Sequence, residues 1–159
     1  MDNTGDNKHY LTSQKKKDLE KELDELKNKK RKEVAVALDE ARHLGDLSEN
    51  AEYQEARENQ AMVEYQISQI ETILKDAVIV KSHKSDVVEI GTTVTIRKKS
   101  AKTTQVYQIV GSQESSMKDG KISNTSPLAQ AMLEKTKGDD FTFVAPNGME
   151  MHYTIVDIS

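Results

Sequence analysis

Apolar or small residues at Tyr53, Ala56, Gln60, Val63, Ile67, Ile70 and Leu74 recur at alternating steps of three and four. That spacing draws one stripe along a helix, the seam of a coiled coil, and such a stripe needs a partner helix to cover it. The preceding segment supplies one. Leu19, Leu23, Leu26, Val34, Ala37 or Leu38, Ala41 and Leu44 form a second stripe on a helix predicted from Thr12 to Leu44, with Thr12 or Ser13 as its cap. Lys30 falls on that stripe between Leu26 and Val34, and the four-residue steps around it read as a stutter that locally unwinds the supercoil. Between the stripes, Gly45-Asp46-Leu47-Ser48-Glu49-Asn50 turns the chain around. Gly45 relaxes the backbone where helix one ends, and Asp46, followed three residues later by Glu49, opens the next helix. The expected product is an antiparallel hairpin about 45 Å long, at ~1.5 Å per residue over roughly 30 residues. Two carboxylates lie at its far end.

After Leu74 the periodicity changes to that of strands. Ala77–Val80 is a short β-type run, Thr92-Val94-Ile96 and Gln105–Val110 alternate, and the charged stretch Arg97–Lys102 between them reads as a hairpin loop. Ser126-Pro127 starts a short helix over about Leu128 to Glu134, with Ser126 as cap and Pro127 at the first helical position. Phe141–Val144 and Met149–Ile158 are a last strand pair turned by Pro146-Asn147-Gly148. The fold class is therefore α+β: a flexible lead over 1–10, an antiparallel α-helical coiled-coil hairpin over 11–75, and a small α+β domain over 76–159.

With no cysteine the chain has no disulfide or thiolate metal site, and its four scattered histidines lack helical metal-ligand spacing. No apolar run approaches the roughly 18 residues of a membrane span, and the polar N-terminus lacks a signal-peptide core, so a soluble cytoplasmic protein is expected. The charge distribution is informative. Lys8 to Lys32 holds ten basic residues against five acidic ones, whereas Glu33 to Glu71 holds ten acids against only Arg42 and Arg57. Phosphates would repel so acidic a hairpin end, which points its tip towards a cationic or metal-containing cavity. A solvated coiled coil kept soluble by its charges fits the same numbers.

Asp46 and Glu49 are the one acid pair at the apex. Spacing alone favours a capping box, in which each carboxylate accepts backbone N–H groups. The functional alternative is a divalent-cation site; Mg²⁺ prefers octahedral oxygen ligation, so two carboxylates form at best half a site that another molecule completes. His43 beside the tip reads as a helix-dipole partner before a proton donor. Ser48 has no histidine base at a motif spacing, so nucleophilic catalysis is unsupported. Lys27, Lys29, Lys30, Arg31 and Lys32, and likewise Arg97, Lys98, Lys99 and Lys102, read as solvated faces before nucleic-acid contacts.

The run Ala41-Arg42-His43-Leu44-Gly45-Asp46-Leu47-Ser48-Glu49-Asn50-Ala51-Glu52-Tyr53 resembles the tip signature of bacterial transcript cleavage factors of the Gre family, GreA type. Ile122–Ala129, Lys137-Gly138-Asp139 and Pro146-Asn147-Gly148 match the same family, and the likeness spans Leu11 to Ile158. The resemblance implies a C-terminal domain similar to the FK506-binding-protein fold that docks on the rim of the RNA polymerase secondary channel, with the coiled coil reaching the active centre. It implies that Asp46 and Glu49 are the catalytic and metal-binding acids, holding a second Mg²⁺ with the polymerase and orienting water while the polymerase cleaves backtracked RNA. The chain itself would then be no enzyme, and a monomer, with RNA polymerase and the nascent RNA 3′ end as partners and DNA binding among the family's attributes. Arg42, Ser48, Asn50, Arg57, Ser126 and Pro127 become candidate partner contacts. Gln130 and Glu134 depart from the family, which often has arginine and glycine there. The competing readings are a secondary-channel regulator that does not promote cleavage and, from fold analogy alone, a prolyl isomerase or chaperone.

Overall fold

The computed structural model describes residues 8–43, 50–81 and 83–159. They form two compact units: Gln14–Ala77, and residues 8–13 together with Val78–Ser159.

In the first unit, helix one comprises α1 (Ser13–Glu25), a π-helical turn at Leu26–Lys30 and α2 (Arg31–His43); α3 (Ala51–Lys75) is uninterrupted. Leu19, Leu26 and Ala41 are buried on helix one, and Ala56, Val63, Ile67 and Ile70 on α3. This is the expected seam, with two refinements. Gln60 is exposed, because an amide gains little from a two-layer interface with water on both sides, and of Ala37 and Leu38 it is Leu38 that turns inwards. The stutter expected at Lys30 is not spread along the supercoil. It is concentrated in the π turn, where the Arg31 N–H donates to the Leu26 carbonyl five residues back.

The lead expected over 1–10 needs correction. His9 and Tyr10 belong to strand β1 (His9–Leu11), which pairs with β2 (Ala77–Ile79), and Leu11 is fully buried; residues 1–7 lie outside the described residues. Gly111 explains the close fit, since a Cβ there would stand 1.7 Å from the Tyr10 carbonyl oxygen. Thr12 donates from both its N–H (3.1 Å) and its hydroxyl (2.5 Å) to the Glu114 carboxylate.

The sheet unit is built on β3 (Thr93–Lys98), β4 (Thr104–Val110), β5 (Lys121–Ser123), β6 (Asp140–Val144) and β7 (Glu150–Ile158), in the order β5-β4-β3-β7-β6. β5 was not foreseen: it has three residues and runs parallel to β4. Arg97 and Lys98, expected in a loop, end β3, because the strand pairing extends to them (Arg97 with Thr104, Lys98 with Tyr153). Helix α4 (Pro127–Met132) lays Ala129 and Met132 into a core formed with Val94, Ile96, Ile109, Ile122, Phe141, Tyr153 and Ile155. The β6–β7 hairpin turns as foreseen around Pro146-Asn147-Gly148, with Gly148 at φ +79° as the left-handed residue.

Candidate functional site at the distal hairpin

Asp46, Ser48 and Glu49 lie outside the described residues, so the site is built from what flanks them. Asn50 is the organising side chain. Its Oδ1 accepts from the Tyr53 N–H at 3.0 Å, capping α3, while its Nδ2 donates to the Ala41 carbonyl in the last turn of α2 at 2.7 Å. One amide thus satisfies an orphan group on each helix and holds the two ends of the connection together. The sequence reading gave the helix-opening role to Asp46 and Glu49; the structure corrects this, because α3 starts at Ala51 with Asn50 as its cap. The signal was available, since asparagine is a leading cap residue and Glu52 follows in the first turn.

Ala41 and Ala56 are buried where α2 and α3 face each other, their small side chains allowing close approach. Around them Glu40, Glu52, Glu55, Ala37 and Asn59 line an open groove. Arg42 stands 6.0 Å from the Tyr53 ring centroid, at the outer limit of a cation–π contact. Arg57 is exposed on α3. His43 Nδ1 lies 2.7 Å from the Asp39 carbonyl, so that nitrogen carries the proton and donates into its own helix end. Among the described residues no group of three or more His, Asp or Glu side chains is placed to hold a metal.

Farther down the hairpin the basic cluster is partly neutralised. Lys27 pairs with Glu71 at 2.5 Å, Lys30 with Glu33 at 3.0 Å, and Arg31 grips both oxygens of Glu64 at 2.7 and 2.6 Å. That fork holds the Glu64 carboxyl below its ordinary range and raises the Arg31 guanidinium. In the sheet unit Lys99 is paired with Asp140, whose carboxyl is lowered by it and by the Thr154 hydroxyl.

Ser126 and Pro127 lie in the sheet unit and have a local role. The Ser126 hydroxyl accepts from the Ala129 N–H at 3.2 Å and Pro127 occupies the first turn of α4. Beside them Ser112, Ser123 and Thr125 join hydroxyls on the surface, Ser123 to Ser112 at 2.9 Å and to Thr125 at 2.8 Å. Both departures now have a structural setting. Gln130 donates to the Asn124 carbonyl at 2.6 Å, and Glu134 is held in the left-handed region at φ +65°, where glycine is at ease.

Two family models match the chain: "Transcription elongation factor, N-terminal" over residues 9–79, and "Transcription elongation factor, GreA/GreB, C-term" over residues 82–159. A transcription elongation factor GreA of Shouchella clausii is 45% identical over 153 residues, covering 95% of this chain and 96% of the relative. The GreA of Halalkalibacterium halodurans is 46% identical over the same length and shares. A solved structure described as the transcription factor Gfh1 aligns over 95% of this chain and 97% of its own, at 25% identity and a TM-score of 0.45.

Proposed function

The chain belongs to the GreA/GreB family of transcription elongation factors, and from that premise we propose that it stimulates the RNA cleavage activity of a backtracked RNA polymerase. In this reading the hairpin enters the polymerase secondary channel and Asp46 and Glu49 reach the active centre. The polymerase hydrolyses the RNA; this chain supplies carboxylates and is not itself the enzyme. The observation that carries the proposal is the Asn50 staple, which joins α2 to α3 across a connection of six residues, 44–49, containing both acids.

The donor set supports the same reading. Two carboxylates cannot complete an octahedral shell, so a second Mg²⁺ held by Asp46 and Glu49 would need further ligands from the polymerase. Bound there, Mg²⁺ would supply charge stabilisation for hydrolysis of the phosphodiester. Asp46 and Glu49 hold it and orient water, and Arg42 and Arg57 are the cations placed on the helices to meet RNA phosphate or channel acids. The acidic distal hairpin suits a cationic channel better than open nucleic acid. No helix among the described residues is long and apolar enough to cross a membrane; a chain that acts on RNA polymerase in this way would do so in the cytoplasm, as a monomer. Phe141 and Tyr153 stack in the core at 5.7 Å, which leaves neither ring free to line a proline pocket.

The test is a stalled, backtracked elongation complex titrated with Mg²⁺. The wild-type chain shortens the RNA from its 3′ end, and Asp46→Asn shifts the Mg²⁺ requirement upwards. Slowed elongation without any shortening would replace this reading with that of a non-cleaving channel regulator.

A further inference from the structure

The seam of helix one keeps a seven-residue frame on each side of the π turn and breaks it once. Leu19 to Leu26 is seven residues, Leu26 to Val34 is eight, and Val34 to Ala41 is seven again. Leu19, Leu26 and Ala41 are nevertheless all buried against α3 and Val34 is half-buried, so both halves meet the partner helix in phase. The π turn at Leu26–Lys30 absorbs the extra residue: one wider turn, closed by the Arg31 N–H onto the Leu26 carbonyl, takes it out of the seam. α3, facing it, is continuous from Ala51 to Lys75. Two ion pairs cross between the helices here, Lys27–Glu71 from within the turn and Arg31–Glu64 from the residue that follows it.

We propose that this π turn is the positioning element of the hairpin: it stores one supernumerary residue between two intact seven-residue frames and, clamped by Lys27–Glu71 and Arg31–Glu64, sets the direction in which α2 carries the tip. Single π turns are among the few local causes of helix kinks above about 20°. From Lys30 to His43 is thirteen residues, about 20 Å at ~1.5 Å per residue, so a change of direction of about 20° at the turn would move the end of α2 by roughly 7 Å. A displacement of about 1 Å can already cost on the order of 10²-fold in a catalytic geometry. The consequence for cleavage rests on the function proposed above; the consequence for hairpin geometry does not.

Asn28 is the residue to remove. It lies within the turn, is exposed, and its side chain bonds to Asp24 at 2.5 Å. Three variants of the full chain separate the possibilities: deletion of Asn28, Asn28→Ala, and deletion of Lys21, an exposed residue inside the regular Leu19–Leu26 frame. Deletion of Asn28 closes the turn into α-helix with the seam in phase, so it melts at or above the wild-type temperature. Deletion of Lys21 puts the seam out of phase and melts lower. Because the chain has no cysteine, spin labels at Glu22→Cys and Glu40→Cys report the geometry of helix one directly. Their mean separation in the Asn28 deletion differs from that in Asn28→Ala by about 1.5 Å or more, the rise of one residue. Stimulated cleavage falls at least ~10-fold in the Asn28 deletion and holds in Asn28→Ala. An Asn28 deletion that melts as low as the Lys21 deletion overturns the stored-residue claim. An unchanged label separation, or wild-type cleavage by the Asn28 deletion, overturns the positioning claim. A wild-type chain that stimulates no cleavage defeats the proposed function, and the label separation still decides the geometry.

Discussion

The sheet unit closes its core from several directions: Met132 and Ala129 come down from α4, Ile96 and Val94 up from the centre of the sheet, and Phe141 and Tyr153 stack across β6 and β7. The hairpin has one stripe facing another. Its buried residues, Leu19, Leu26 and Ala41 against Ala56, Val63, Ile67 and Ile70, lie in single file with solvent on both flanks. A core of the first kind depends on volume, because no side chain can leave without a cavity. A seam of the second kind depends on phase: each contact is modest, but a frame error displaces every contact beyond it. The difference teaches where each unit is vulnerable, the sheet unit to truncation and the hairpin to changes in chain length.

Met132→Ala, at a fully buried position, is expected to destabilise the sheet unit by ~2–5 kcal/mol. Leu26→Ala in the hairpin removes a similar side chain from a site with room to relax and should fall at the low end, near ~2 kcal/mol. Denaturant unfolding followed by resolved methyl signals in each unit measures both. Equal losses would erase the contrast.

Asn50→Ala removes the cap of α3 and its bond to the Ala41 carbonyl, and costs about 1 kcal/mol. The loss shows as faster amide exchange at Tyr53 and Ala51 with the sheet unit unaffected. A change confined to the sheet unit would contradict the assignment.

Glu134→Gly acts in the opposite sense. It relieves a left-handed residue, an unfavourable conformation worth on the order of 1 kcal/mol, and raises the melting temperature of the sheet unit. A lower melting temperature would mean that the Glu134 side chain holds something its backbone does not reveal.

The smallest effect is a titration. His83 places Nδ1 2.9 Å from the Lys81 carbonyl and Nε2 2.8 Å from Glu89, so both nitrogens face acceptors and the imidazolium is favoured. The Lys81 carbonyl first, and Glu89 second, raise its pKa above the ordinary histidine value. A raised pKa means the contribution is complete below the unfolded value and fades as pH rises through the folded one. Proton NMR of the ring should give a midpoint above that of a free histidine, returning towards it in Glu89→Gln; a midpoint at or below the free value refutes the arrangement.

Much of this architecture was legible in the residues, and the rest was hidden for identifiable reasons. The seam on α3 followed from spacing, and Ser126-Pro127 marked α4 by cap chemistry that needs no tertiary context. β1 and β5 were missed because three-residue strands carry no period of their own; β1 exists because β2 pairs with it and Gly111 leaves room for Tyr10. The break at Lys30 was visible as a frame error, but whether a helix spreads such an error or stores it in one turn depends on the partner helix. At the tip, the resemblance points to Asp46 and Glu49, which lie outside the described residues, whereas the cap of α3 is Asn50. An Asp-x-x-Glu box and an Asn cap one residue later compete in sequence, and the bond from the Tyr53 N–H to Asn50 Oδ1 decides for the second.

The central claim is that the hairpin delivers Asp46 and Glu49 to complete a site in RNA polymerase. The most direct measurement compares RNA shortening in a backtracked elongation complex with wild-type chain and with Asp46→Asn/Glu49→Gln, with polymerase binding measured in parallel. The account predicts that the double variant binds within about threefold of wild type while stimulated cleavage drops by at least ~10²-fold, as expected when transition-state stabilisation is lost with binding retained. Full cleavage by the double variant would contradict it.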